Sequence, residues 1–472
     1  GDDYNLRTGD FCAVPNGCPL ALHHLAHIIR ASGADVVGVQ EAERSTAKLA
    51  RLVGGWYASP RAHVISRFPI LDPPHSRGNY VFIEPTPGRV VAMANTHLPS
   101  TPYGPYKAQK GWSRQQVLRL ERTLRLPAIE KTIHALKPLA AKGIPVVLTG
   151  DFNSPSYRDW TPAAAHERPL VPYSVTWPAS KALADAGFVD SYREVYPSPV
   201  KHPGFTWSPG GPETRKHDFP DRIDWVLHAG PAKAISSEVL GEKGNPNVDL
   251  GFGPPYPTDH RGVVSTLRVK AAPAPNLVSP STRRPTIGEP LDVAFHAPAG
   301  PGHKVALVTK DGGRLHVVRA EPTRGATNGT VTFGTRGLKP TKYGVALLGP
   351  DKHVLSMQPV WAYPPHTRAT VTTKRSYRVG APISVSWTRA PGMALDWISV
   401  FRCQHGKCDP TSGYLTYDYT HTRIEGTLRI SRHDAQVEGS DWPLPPGKYI
   451  ARLLVDDGYV VAGRSKRFSI VE

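Results

Sequence analysis

Val146-Val147-Leu148-Thr149-Gly150-Asp151-Phe152-Asn153-Ser154-Pro155 is a short apolar run that stops at a glycine and then presents two polar side chains around one aromatic. Its valines and length read as a buried strand, and Asp151 and Asn153 arrive where that strand ends. Alternation along an extended chain puts Asp151 and Asn153 on one side, with Phe152 turned back into the protein. A carboxylate beside an amide at a rigid strand end can aim a water and hold an oxyanion. The competing reading is an Asx turn, in which the two side chains bond their own backbone.

Working outward, the same pattern recurs. Asp35-Val36-Val37-Gly38-Val39-Gln40-Glu41 is a strand ending in a carboxylate, preceded by a helical pattern over 20–31 (Leu22, Leu25, Ile28, Ile29) that stops at Gly33. Val90-Val91-Ala92-Met93-Ala94-Asn95-Thr96-His97-Leu98 is another strand with a polar end, after expected strands at His63–Ile70 and Tyr80–Ile83. An amphipathic helical region follows from about Arg114 to Ala140, interrupted near Pro127. Asp224 lies among apolar neighbours in Asp221-Arg222-Ile223-Asp224-Trp225-Val226-Leu227, where a carboxylate is costly unless paired. Asp259 and His260 stand side by side in a loop before Val263-Val264, where both can reach one ion or one phosphate. Trp207 reads as a core residue or as a pocket wall.

At 472 residues the chain is too long for one core. It has 39% hydrophobic residues and no apolar run of membrane-spanning length. The net charge of +18 and pI near 9.7 suit polyanionic partners, or serve solubility alone. Four cysteines fall in two close pairs, Cys12 with Cys18 and Cys403 with Cys408. Two local disulfides, an oxidising compartment and secretion are therefore expected; a shared zinc site is disfavoured because the C-x-x-C spacing is missing. The polar start at Gly1, without Met, suggests a segment upstream.

Together, Val39-Gln40-Glu41, Asn95-Thr96-His97, Gly150-Asp151-Phe152-Asn153, Arg222-Ile223-Asp224-Trp225 and Thr258-Asp259-His260 resemble the endonuclease/exonuclease/phosphatase superfamily, the deoxyribonuclease I-like fold. The resemblance covers about residues 1–270 and implies an α+β chain: a four-layer α/β sandwich with its site at the strand ends, followed by β-sandwich domains. It implies Glu41 and Asp259 as oxygen ligands of Mg²⁺ or Mn²⁺. Asp151 would activate the attacking water, with Asn153 holding it or a phosphate oxygen. His260 would donate to phosphate, oriented by Asp224, and His97 would be a second donor or the general acid. The family's metal-binding Asn at the first strand has Asn5 as its nearby candidate, or it lies upstream of Gly1.

After Ala271-Ala272-Pro273-Ala274-Pro275, a stiff linker, short alternating strands replace helices. Thr286–Phe295 repeats as Arg378–Trp387, and Leu338–Tyr343 as Leu444–Tyr449. The expected domains are a catalytic domain at 1–270 and immunoglobulin-like β-sandwiches at 276–364 and 366–472. These sandwiches would be spacers, or would hold a surface or polymer. The functional expectation is a secreted phosphoesterase acting on lipid, inositol or sugar phosphates. The alternatives are a secreted nuclease and a non-catalytic surface-binding protein.

Overall fold

A computed structural model describes residues 19–42, 44–207, 220–253, 256–403, 408, 414–431 and 442–472. Cys12, Cys18 and Asn5 lie outside the described residues. Contacts divide the chain into two compact units, one of residues 1–70 and 90–272 and one of residues 71–89 and 273–472. Among the described residues no helix is long and apolar enough to cross a membrane.

In the first unit the strand Val146–Asp151 lies between two others. It runs parallel to Arg89–His97 and antiparallel to Asp224–Ala229, which also pairs with Val189–Asp190. Val146 and Leu148 are fully buried, as the apolar run requires. A second sheet pairs Ala232–Glu242 antiparallel with Gly262–Val269 and parallel with Leu250–Phe252. A third joins Val36–Gly38, Val64–Ser66 and Tyr57–Ser59. Helices Pro19–Ala31 and Thr46–Gly54 cover it, and Ala26, Leu49, Val53 and Ile65 form their common core.

Three local readings are refined. The expected strand at His63–Ile70 divides into Val64–Ser66 and Ile70–Leu71, because Arg67 N turns back to Asp35 O and Phe68 N to Ser66 Oγ. The long helical region breaks at Arg125, between Arg114–Leu124 and Leu126–Ala141. Pro127 stands in the first turn of the second helix, where its missing N–H costs nothing. The strand before Glu41 ends at Gly38, and Glu41 itself adopts φ 50° in the turn beyond.

The second unit is built from stacked sheets. One core, including Val278, Leu291, Val293, Val305, Leu307 and Tyr343, joins the sheet 277–280/291–296/328–333 to the sheet of 304–311, 314–322, 341–348 and 354–362. A second core, including Val385, Trp387, Val400, Tyr449 and Phe468, joins two further sheets over 370–471. The sequence repeat falls on matching places. Leu291–His296 corresponds to Ile383–Thr388, and Tyr343 and Tyr449 each turn the hydroxyl back to the carbonyl four residues upstream, Lys339 and Pro445. Cys403 and Cys408 form a disulfide.

Candidate functional site

Strand register brings three of the candidate residues into one row. His97 pairs with Asp151 across the parallel ladder, and Asp151 pairs with Asp224 across the antiparallel one. Opposite partners on adjacent strands share a face, so an imidazole and two carboxylates gather at one sheet end. Gly150 permits the approach: a Cβ there would stand 2.3 Å from the Thr96 carbonyl oxygen. Phe152 turns inward as expected, fully buried and stacked on Trp225 at 4.1 Å between ring centroids.

Asp151 is buried, and each of its oxygens is held. Asn153 N donates to Oδ1 at 2.7 Å, so the Asx turn does form, and Asn153 Nδ2 donates to Oδ2 at 3.0 Å. Oδ2 also lies 3.6 Å from His97 Nε2 and 3.9 Å from His260 Nε2. The turn and the clustered site are therefore one feature rather than alternatives. Asn153 leaves the extended conformation at φ 47°, and its amide donates also to Leu98 O at 2.9 Å. With both amide hydrogens spent on protein oxygens, it holds Asp151 and the turn after His97.

His260 Nδ1 lies 2.9 Å from Asp224 Oδ2, so the costly carboxylate is paired. Burial works against a charge on His260, but the Asp224 carboxylate outweighs it, aided by Asp151 and Asp259, and carries the imidazole up to about 10. It is an imidazolium at neutral pH. Burial, with the Asp224 charge, pushes the Asp151 carboxyl above its ordinary range, while His260 and His97 pull it down. A raised carboxyl between two imidazoles can take a proton from water, and the imidazolium can donate one.

Glu41 Oε1 lies 3.8 Å from His97 Nε2, on the same side of the cluster. Asp259 Oδ1 is buried and meets no hydrogen-bond partner among the described residues. An orphaned carboxylate oxygen is costly unless a cation takes it, so Asp259 fits a hard divalent ion. Among the described residues, the set whose possible ligand atoms all lie within 4.8 Å of one another is instead Asp151, Asp224 and His260. We read that set as a hydrogen-bonded relay, because His260 Nδ1 is already committed to Asp224 at 2.9 Å.

Residues not singled out in the sequence hold this arrangement. Asn95 donates to Val39 O at 2.8 Å and His63 O at 3.3 Å, and its Oδ1 accepts from Gln40 Nε2 at 2.6 Å and Thr149 Oγ1 at 3.0 Å. It ties the turn before Glu41 to the central strand. Thr206 Oγ1 accepts from both Ile223 N and Asp224 N at 3.0 Å. Behind Asp224, Arg222 reaches Asp190 at 2.6 Å and Asp159 at 3.0 Å, and Arg193 reaches Asp159 at 2.7 Å, all buried. Asp221 accepts from Tyr103 Oη and Trp160 Nε1, each at 3.0 Å. Burial pushes its carboxyl up to about 6, against Arg168 and these hydrogen bonds. Tyr103 and Tyr106 pack on half-buried Trp207 at 5.5 and 5.7 Å, and Trp207 stands 6.4 Å from the His260 ring. The tryptophan is thus a wall beside the site. A buried Asp-Arg pair just before an apolar strand was the available signal for Asp221 and Arg222.

Residues 4–260 match the Endonuclease/Exonuclease/phosphatase family. The chain is 28% identical over 256 residues to the uncharacterized protein F14F9.5 of Caenorhabditis elegans, an alignment covering 48% of this chain and 80% of that protein. Similar solved structures include an endonuclease/exonuclease/phosphatase from Beutenbergia cavernae, 17% identical with a TM-score of 0.31, covering 74% of this chain and 96% of the other. Another is an AP endonuclease from Archaeoglobus fulgidus, 16% identical with a TM-score of 0.34, covering 52% and 94%. At such scores it is the family match that carries the deoxyribonuclease I-like α+β fold of the first part, and the β-rich remainder follows it as expected.

Proposed function

Because this chain belongs to the endonuclease/exonuclease/phosphatase family, we propose that it is a secreted, divalent-metal-dependent phosphoesterase that hydrolyses phosphate mono- or diesters by attack of water. The observation that carries the reading is the convergence of His97 and His260 on Asp151 Oδ2, at 3.6 and 3.9 Å, with Asp224 behind His260. Asp151, its carboxyl raised and its rotamer fixed by Asn153, takes the proton of the attacking water. The His260 imidazolium donates from Nε2 to a phosphoryl oxygen, and Asp224 holds the ring and its charge. His97 is a second donor, within reach of the leaving oxygen. Glu41 and Asp259 would hold Mg²⁺ or Mn²⁺, which supplies charge to offset that developing on the phosphoryl and leaving oxygens. The Cys403–Cys408 disulfide supports an oxidising compartment.

The aromatic wall of Tyr103, Tyr106 and Trp207 favours a compact phosphoester of the lipid, inositol or sugar class. The net charge of +18 favours the alternative, a nuclease. The test is hydrolysis of plasmid DNA, a phosphomonoester and a lipid phosphodiester, with Mg²⁺ or Mn²⁺, with EDTA, and with Asp151→Ala. Activity on one substrate that disappears with both EDTA and the substitution is expected. No hydrolysis of any by the metal-supplied parent chain would refute the reading for these substrates and favour a non-catalytic binding protein.

A further inference from the structure

The second unit contains a groove that hydrolysis does not use. A cavity of about 680 Å³ is lined by Arg284, Arg368, Arg389, Arg452 and Arg464, with Thr367 and a short apolar floor. A smaller one of about 310 Å³ shares Arg452 and Arg464 and adds Arg467. Among the described residues, the lining of the larger cavity carries no Asp or Glu. Guanidinium groups do not deprotonate in proteins, so Arg284, Arg368, Arg389 and Arg464 keep their charge around the larger cavity, a setting that favours an anion.

Three of these arginines, Arg452, Arg284 and Arg389, are held by neighbouring groups. Arg452 is buried, lies 5.0 Å from the Phe401 ring and donates to Cys408 O. Arg284 and Arg389 flank the Tyr363 ring at 5.6 and 5.9 Å, and Arg284 donates to Thr367 O. Arg284 Nε is buried and meets no hydrogen-bond partner among the described residues. Asp396 is the carboxylate whose charge acts on Arg284, and its oxygens are engaged elsewhere. Its oxygens accept from Gly392 N at 2.7 Å, Met393 N at 3.0 Å and Asp456 N at 3.2 Å, and burial pushes its carboxyl up to about 7.

Planar guanidinium forks match phosphate oxygens two at a time. The volume is that of a small-molecule site, and the arginines converge on one cavity instead of running as the stripe that a nucleic-acid backbone would track. We propose that this arginine groove binds a compact polyphosphorylated ligand, a small molecule or lipid head group bearing two or more phosphates.

The test uses the full chain carrying Asp151→Ala, so that probes are not consumed. Titration calorimetry with tripolyphosphate, inositol hexakisphosphate and orthophosphate is compared between this chain and one that also carries Arg368→Glu and Arg464→Glu, both at exposed positions. Binding of at least one polyphosphate, tighter than orthophosphate and weakened at least about tenfold by the reversals, is expected. Arg464→Gln gives the same comparison, in the same direction, should the doubly reversed chain lose its fold. Sedimentation with phosphatidylcholine vesicles, plain or containing phosphatidylinositol bisphosphate, separates the sources. Arginine-dependent binding to the second vesicle assigns a head group, and binding of the soluble probes alone assigns a free ligand. Equal affinity in the parent and substituted chains, no binding of any probe, or duplex DNA displacing the polyphosphate at lower concentration would overturn the proposal.

Discussion

Asp224→Asn is the perturbation that separates a held imidazolium from a merely buried histidine. The 2.9 Å contact between Asp224 Oδ2 and His260 Nδ1 is a hydrogen bond between charged groups in a partly buried site. Such a bond is worth about 1.5–3 kcal/mol, and one pKa unit corresponds to about 1.36 kcal/mol. Neutralising Asp224 therefore lowers the His260 pKa by about one to two units from its value near 10, while Asp151 and Asp259 continue to raise it. At pH 9 the imidazolium fraction, and with it kcat/KM, falls about two- to tenfold from this cause, beyond any loss common to all pH values. The same charge raises Asp151, so its removal moves the acid limb downward as well. The whole bell shifts toward acid rather than only shrinking. Stability follows the same sign. A histidine whose folded pKa is raised contributes stability that is fully present below its unfolded value and is lost as pH rises toward 10, so the variant flattens that alkaline loss. The assays are the pH profile of kcat/KM and the NMR titration of the His260 ring without substrate. An unmoved alkaline limb with an unmoved ring titration would refute the coupling, whatever the drop in rate.

Asp159→Ala leaves Arg193 and Arg222 buried without their shared carboxylate, and a loss of about 3–5 kcal/mol is expected in urea denaturation; a loss below about 1 kcal/mol would show that the arginines re-pair at little cost. Gly38→Ala places a Cβ 2.0 Å from Thr149 Oγ1 and 2.5 Å from Asn95 Oδ1, so it should depress both Tm and activity, with normal Tm and kcat arguing against the tight junction. In the second unit the Asp396 carboxyl is raised to about 7, chiefly by burial, so the folded form takes up a proton before the unfolded one. This group therefore adds stability as pH falls from about 7 toward its unfolded value of 3.8, and Asp396→Asn should remove that gain. Parallel stability–pH curves for the two chains would contradict it.

The row of His97, Asp151 and Asp224 was legible because each residue ends or begins an apolar run, and strand ends of neighbouring strands in one sheet are brought together by register alone. The helix break was legible for a similar local reason, since Pro127 favours the first turn of a helix, although Pro138 is accommodated inside the same one. What surrounds the row was not legible. Asn95 reads as a strand residue two positions before His97, and only the fold reveals that its amide joins Val39, His63, Gln40 and Thr149. Arg222 and Asp190 are separated by a long stretch with no periodicity to connect them, so their pairing depends on tertiary structure.

The arginine groove makes the same point for charge. A net charge of +18 spread over 472 residues is compatible with solubility alone, and Arg284 and Arg464 belong to distant stretches of sequence, each with only a short basic cluster (Arg283-Arg284 and Arg464-Ser465-Lys466-Arg467). Their convergence arises because the loops carrying Arg284, Arg368 and Arg389 meet the strands carrying Arg452 and Arg464 at one cavity, which no residue pattern encodes. If the groove holds a polyphosphate, the excess charge is a local recognition feature, and the two arginine reversals should weaken affinity at least about tenfold, a loss that the remaining basic residues cannot replace. If the charge acts diffusely, binding should instead track net charge, and reversing exposed Arg429 and Lys448 should weaken polyphosphate binding as much as reversing Arg368 and Arg464. Comparing these two equally charged variants isolates the geometry of the groove from the charge of the chain.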